Sequence, residues 1–547
     1  MKRYINKLFV GSLLVGATSL MFTSCASDYL DTDPSESVNK DIVINDVETA
    51  YKTLNGVAKT MTIQHSAYSQ GFAGENAIIR LYENLPSQDY NYNYYASGWA
   101  PIHNNTFHFR KTSIYDIYAW YYYYQIITQA NYLIKKVMDA EGKEADKKFI
   151  KASALTFRAY AFEKLVHYYC YRWQDSNNGA TQGLPLRLDN DTEDKLSPST
   201  LAETMDQIYS DCKEAVQLFN ESGIDRQGEK VWIPNLSAAH AVYARAALWK
   251  QDYKTALEHS KLAQNGFPLM SNAEYRAGFC NPTSEWIMGC YGASDENNWY
   301  WSYGVQGACN GYYATTQPTG AGSIGRELIN RIPKGDVRKS LFLTEDNLEG
   351  VDLTNPNNFN TTYCIAWDGD VYAAAEAFNS TQGVRGLVAP YKAGYYYLGG
   401  QYKFYVFDTP GVGYLPLIRT SEMVLIEAEA NYFLGNEADA RAALVKLNKD
   451  SGRNPEYTCD KSGEDLFAEI RDYRSVELWG EGFQWSDFKR WKLPIVRHTF
   501  AEGGNAHPAV AVTIQPNNPI TNNWTWVVPA NETDYNAGFK MGEESEK

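Results

Sequence analysis

A helical period that runs, breaks off and then resumes is the strongest constraint on what this chain can fold into. Apolar residues fall at Val47, Tyr51, Leu54, Ala58 and Met61. They recur at Ile117, Tyr121, Ile127, Ala130 and Leu133, and again at Ala152, Leu155, Ala159, Phe162 and Val166. Spacings of three and four set these side chains on one face of a helix, and each such face must be buried against a neighbour. Thr200 and Glu203 have the spacing of a capping box, followed by Leu201, Met205, Ile208, Cys212, Ala215 and Phe219 on one face. Two helix–turn–helix pairs follow, one turning at Gln251-Asp252 and one at Gly435-Asn436. Their small residues near the turn fit a tetratricopeptide-like repeat and an ordinary α-hairpin equally well. Between the pairs, residues 279–416 lose the period and are rich in Gly, Asn, Pro, Thr and aromatic residues. So long an irregular stretch inside a compact domain is usually functional. The reading is a mainly α fold: a helical scaffold over about 40–275 and 415–492, interrupted by a loop-rich ligand-binding layer over about 276–414.

The N-terminus addresses location. Lys2, Arg3 and Lys7 precede a run of apolar and small residues over 8–22 that ends in Phe22-Thr23-Ser24-Cys25. The run is shorter than the roughly 20 residues a bilayer crossing needs, and it has the form of a secretory signal. Small residues directly before a cysteine fit lipoprotein processing, with 1–24 removed and Cys25 acylated; an ordinary secretory signal with an incidental cysteine is the plainer alternative. Several acyl chains hold a protein stably on a membrane. Loss of the three N-terminal cations takes the formal charge from −15 to −18. Seven cysteines then remain, an odd number without a Cys-x-x-Cys; Cys280, Cys290 and Cys309 lie close enough along the chain to include one disulfide.

Most catalytic chemistries find no support. An acidic chain without a basic run is a poor nucleic-acid binder, because that affinity comes from releasing counterions at basic patches. None of the eight histidines sits in a His-Glu-x-x-His, and there is no Gly-x-x-x-x-Gly-Lys phosphate loop. Ala321-Gly322-Ser323-Ile324-Gly325 lacks the first glycine of a nucleophile elbow. Asp189, Asp191 and Glu193 have the spacing of a cation loop, but Asp194 stands where the turn needs glycine. No cofactor and no metal is expected.

Several stretches in order resemble the SusD/RagB family of outer-membrane lipoproteins. They are Asp28–Pro34 after the cysteine, Lys151–Phe162 with its Arg158-Ala159-Tyr160 core, and Gly183–Leu186 with Leu196–Thr200. Later come Leu417–Ala430 with Arg419, Glu422 and Glu429, and Leu466–Trp491 with Arg474, Glu477, Glu481, Asp487 and Arg490. The resemblance implies tetratricopeptide-like units packed on an irregular subdomain. It also implies a surface-exposed, lipid-anchored protein that binds oligosaccharide or polysaccharide without catalysis and passes it to a SusC-like TonB-dependent transporter. A peptide ligand, or less favourably a surface glycoside hydrolase, are the rival readings. The closing signature reads as structural, with Arg474 and Glu477 pairing at i,i+3 and Trp479, Phe483 and Trp485 supplying core.

The ligand site is sought among aromatic residues with a polar handle. The chain has 42 Tyr and 14 Trp against 22 Phe. An aromatic face attracts the C–H groups of a sugar ring while its polar end stays wet. Rings at helical spacing, such as those of 118–124 and 168–173, read as core. Two loop segments remain. Residues 88–105 carry Trp99, His103 and Asn104, of which Trp99 matches a binding aromatic implied by the family. Residues 295–313 carry Trp299, Trp301, Tyr303 and Tyr312. A further family aromatic would fall near 320–325, where only small residues and Ile324 stand.

Overall fold

The computed structural model describes residues 44–65, 72–91, 100–107, 110–190, 196–226, 230–292, 307–309, 322–382, 394–405, 413–515 and 524–534. Cys25, Trp99, Trp299, Trp301, Tyr303 and Tyr312 lie outside the described residues.

The fold is mainly helical, and the expected helices form. They are α1 (Val47–Thr60), α2 (Ile114–Lys136), α3 (Glu144–Tyr169), α4 (Leu201–Ser222), α5 (Leu236–Trp249) and α6 (Tyr253–Ala263). All but α3 begin on a side chain that satisfies an orphan amide. Asp46 accepts from the Thr49 amide at α1, and Thr200 and Glu203 form the expected capping box at α4. Successive helices pack on one another from α2 to α6. The stack then continues without its next residues in sequence: α8 (Thr420–Phe433) packs on α6, and α9 (Glu437–Val445) and α10 (Gly463–Glu477) pack on α8. The scaffold is therefore one pile of antiparallel hairpins from which about 150 residues loop out and return.

The outward and return strands seal that excursion. β2 (Trp286–Cys290) and β7 (Leu415–Arg419) pair antiparallel, fully buried. Within the excursion lie a three-stranded sheet of β4 (Phe359–Asn360), β5 (Ile365–Ala366) and β6 (Tyr396–Tyr397), and the helix α7 (Gly369–Gln382). These share a second, smaller core of Leu343, Leu348, Phe359, Val371, Ala375, Tyr396 and Leu398. The insertion is thus less irregular than its composition implies, but its strands are too short to leave a period in the sequence.

The helix-borne tyrosines are core, as expected, and their hydroxyls are used internally. Glu75 accepts from Tyr122 at 3.0 Å, Tyr123 at 3.3 Å and Tyr160 at 3.0 Å. Tyr168 donates to Glu83 at 2.8 Å. Burial raises both carboxyls above their ordinary range, and for Glu83 to about 7. The disulfide considered among Cys280, Cys290 and Cys309 does not form; all seven cysteines of the described residues are free thiols.

A buried ion cluster fastens the insertion to the scaffold. Arg419, at the end of β7, meets Glu285 at 2.6 Å and Glu481 at 2.7 Å. Arg453 meets Glu285 at 2.9 Å and Glu477 at 3.3 Å. Arg338, from the insertion, meets Glu477 at 3.2 Å and is clamped by Asp336. Lys403, also from the insertion, meets Glu481 at 2.6 Å and donates to the Glu477 and Trp479 carbonyls. Arg474 does not pair with Glu477 as its spacing suggested; it meets Asp487 at 2.6 Å, and Asp487 also meets Arg490 at 2.8 Å.

Burial alone would raise the Glu477 carboxyl, but Arg453, Arg419 and Arg338 outweigh it and hold it at about 2. Its folded value lies below the ordinary glutamate value of about 4.3, so its contribution to stability is complete above that value and drains away as pH falls toward 2. Glu477→Gln should remove this acid dependence. It should also cost about 3–5 kcal/mol in denaturant unfolding at pH 7, the usual penalty for stripping one partner from a buried ion group.

Candidate ligand-binding site

The two aromatic segments singled out from sequence share a base. The strand β1 (Tyr90–Asn91) pairs antiparallel with β3 (Ser323–Ile324), with Tyr90 opposite Ile324 and Asn91 opposite Ser323. In this register the chain that leaves Asn91 toward Trp99 and the chain that arrives at Gly322 from the Tyr312 side meet the same end of the ladder. Gly322 has φ +67°, and a Cβ there would come within 2.3 Å of the Tyr90 ring. Only glycine lets the second segment pass so close to the first.

Three anchors hold this base. The Tyr90 ring stacks on Trp479 at 4.8 Å and 14°. The Trp479 indole N–H in turn donates to the Asp89 carbonyl at 2.7 Å. Asn505 is the second anchor. Its Nδ2 donates to the Ile324 carbonyl at 2.9 Å and the Leu398 carbonyl at 3.0 Å, while its Oδ1 accepts from the Arg326 amide at 3.1 Å and from Asn91 Nδ2. One buried amide thereby joins β1, β3, the end of β6 and the C-terminal region. Arg497 is the third. It donates to the Ser87 carbonyl at 2.7 Å, the Val510 carbonyl at 2.9 Å and the His103 carbonyl, closing both ends of the first segment at once. Asn105 adds a bond to the Pro86 carbonyl at 3.1 Å and accepts from the Trp485 indole N–H at 3.0 Å.

Of the predicted site residues that the structure describes, His103 is 2% exposed and faces the interior rather than solvent. Burial and the Arg497 guanidinium hold its imidazole down at about 3, so it is neutral at any working pH. Asn104 beside it is half-buried, and its Oδ1 has no hydrogen-bond partner among the described residues. The second segment is held at its middle, where the Cys309 amide donates to the Phe404 carbonyl at 2.7 Å and Gln401 Nε2 to the Gly307 carbonyl at 2.8 Å. Asn505 and Arg497 were missed as site-forming residues. Nothing local marks a buried Asn or Arg whose partners lie hundreds of residues away. Among the described residues no group of His, Cys, Asp and Glu could hold a metal ion, and no helix is long and apolar enough to cross a membrane.

Asp89 completes the base. Gln484 donates to its Oδ2 at 2.8 Å and accepts from its amide at 2.8 Å. Burial raises its carboxyl to about 7 against the pull of Arg331.

The family profile described as "Starch-binding associating with outer membrane" matches residues 28–248. A second profile, described as "SusD family", matches residues 394–538. No curated protein matches the chain. Among solved structures, a SusD-like carbohydrate binding protein from Bacteroides vulgatus is 21% identical with a TM-score of 0.71, covering 91% of this chain and 98% of its own. A SusD superfamily protein from the same organism is 20% identical with a TM-score of 0.69, covering 92% and 100%. One from Bacteroides thetaiotaomicron is 21% identical with a TM-score of 0.65, covering 91% and 99%. At these identities the structural likeness speaks for the fold.

Two outcomes test the base. Asn505→Ala leaves four polar groups short of a partner, at about 1–3 kcal/mol for each that stays dry. It should lower the melting temperature and speed hydrogen exchange at the Arg326 amide in particular. Asp89 gives a pH signature of opposite sense to Glu477. Its folded value is raised, so between about 4 and 7 the folded state keeps a proton that the unfolded chain has released, and stability falls as pH rises. Asp89→Asn should make the melting-temperature profile shallower across that window, with Glu83, also raised to about 7, supplying the slope that remains.

Proposed function

Because this chain belongs to the SusD/RagB family, we propose that it is a non-catalytic glycan-binding lipoprotein that captures oligosaccharides at the cell surface and delivers them to a TonB-dependent, SusC-like transporter. The observation that carries the reading is the common base of the two aromatic segments. Two stretches of ring-bearing loop, about 200 residues apart in sequence, start from one antiparallel ladder. A fixed starting point for both stretches lowers the entropy lost on binding, and that is how a modest number of contacts yields useful affinity.

In this reading Trp99, Trp299, Trp301, Tyr303 and Tyr312 supply stacking faces, and Asn104 supplies hydrogen bonds to hydroxyls. His103 supports the segment from inside. Cys25 carries the lipid that ties the protein to the outer membrane. The family profile's description, starch-binding and associated with the outer membrane, agrees with both assignments. The net charge of −18 after processing disfavours anionic polysaccharides at long range.

Isothermal titration against a broad panel of glycans tests the reading, and binding to none of them would sink it. A peptide library that binds where no glycan does would favour the peptide reading. Trp99→Ala and Trp299→Ala should each weaken glycan binding by about tenfold, the order expected for losing one ring contact of about 1.5 kcal/mol. The thermal melt should stay within a degree or two of the parent; a variant that unfolds places that ring in the core.

A further inference from the structure

A second aromatic surface lies on the sheet of the insertion. In the β5–β6 ladder Ala366 and Tyr396 face the small core, while Ile365 and Tyr397 sit opposite each other on the outer face. Continued by one residue, the same register sets Trp367 opposite Tyr395, again on the outer face. Trp367 is 50% exposed, the highest among the exposed large hydrophobic residues described. Tyr395 and Tyr397 are half-buried beside it, with ring centroids 5.7 Å apart. A tryptophan held out to solvent at a strand end, flanked by two tyrosines, costs the molecule a wet apolar face that its own core does not need.

The surroundings select what can sit there. Asp368 and Asp370 stand exposed beside Trp367, and residues 340–384 contain no Lys, Arg or His; the next cations along the chain are Arg385 and Lys392, and the His507 ring packs on Tyr363 at 5.0 Å. The neighbouring turn offers the exposed uncharged side chains of Asn360, Thr361 and Thr362. A carboxylate-rimmed aromatic face repels polyanions and attracts neutral rings whose hydroxyls can bond to amides and acids. The surface is also continuous with the base of the loop site. β6 leads into a tight turn at Leu398 and Gly399, where the Gly399 carbonyl accepts from the Ile324 amide at 2.9 Å and Asn505 bonds to the Leu398 and Ile324 carbonyls together.

We propose that Trp367, with Tyr395 and Tyr397, is an additional stacking platform for a neutral polysaccharide, engaging the same polymer chain as the aromatic loops. The inference rests on the glycan-capture reading above and adds a site and a ligand class to it. One polymer bound at two places on a rigid body gains affinity that a short ligand cannot, because the second contact is made at high effective concentration.

The test uses the full chain, with amylopectin, xyloglucan and galactomannan as neutral polymers, polygalacturonate and chondroitin sulfate as anionic ones, and the matching di- and trisaccharides. Affinity gel electrophoresis and titration calorimetry read the binding. On the neutral polymer that binds, Trp367→Ala should weaken affinity about five- to tenfold and Trp367→Phe less than twofold, with di- and trisaccharide affinity unchanged in both. Polymer binding that Trp367→Ala leaves intact overturns the platform alone, provided Trp99→Ala still weakens it. A loss equal for short and long ligands overturns the two-place arrangement, and preference for the anionic polymers overturns the ligand class. A parent protein that binds no glycan overturns this inference and the capture reading together.

Discussion

Four cations and four carboxylates, taken out of water at one point, set the terms for the rest of the structure. Arg338, Lys403, Arg419 and Arg453 face Asp336, Glu285, Glu477 and Glu481, and all eight are buried. Desolvating so many charges costs several kcal/mol for each, and the cost is offset only if every ion finds its partners in good geometry. Those partners come from the strand that leaves the scaffold, the strand that returns, the last scaffold helices and two points of the insertion. A chain with the helices stacked but the insertion undocked would bury Glu477 and Glu481 short of Arg338 and Lys403. The cluster thus disfavours partly assembled states more than it adds net stability, and it couples the insertion to the helical pile.

The parts of this fold that can be read from the sequence are those governed by neighbours along the chain. The apolar stripes of α1 to α4 and the box at Thr200 follow from local geometry, and they form where spacing puts them. The failures come where a distant group outbids a near one. Arg474 and Glu477 lie three apart on α10, yet a buried carboxylate at Asp487 and three buried cations claim them separately. A surface pair at that spacing gains a few tenths of a kcal/mol, far less than a buried charge loses by going unmatched.

The site is legible in the same uneven way. Ring-rich loops stand out by composition, but the ladder that brings them to a common base joins Tyr90 to Ile324, two residues on each side. A strand of two residues has no period to detect. His103 belongs to the same class of miss: its neighbours Asn104 and Asn105 are polar and the segment reads as loop, while Arg497, nearly 400 residues later, draws its backbone inward. Trp367 escaped notice because its alternation with Ile365 spans only three residues.

The aromatic excess divides by what happens to each polar handle. Inside the scaffold, tyrosine hydroxyls end on Glu75, Glu83 and main-chain carbonyls, so those rings serve packing and their polar atoms are spent. At Trp367 the ring stays half in water on a sheet that is otherwise tied into the core. Folded surfaces keep many apolar side chains partly in water, so what sets Trp367 apart is its place beside Tyr395 and Tyr397 on one sheet face rather than its exposure alone. Asn505 bonds the Leu398 and Ile324 carbonyls together, and so ties the sheet that carries Trp367 to the β1–β3 ladder.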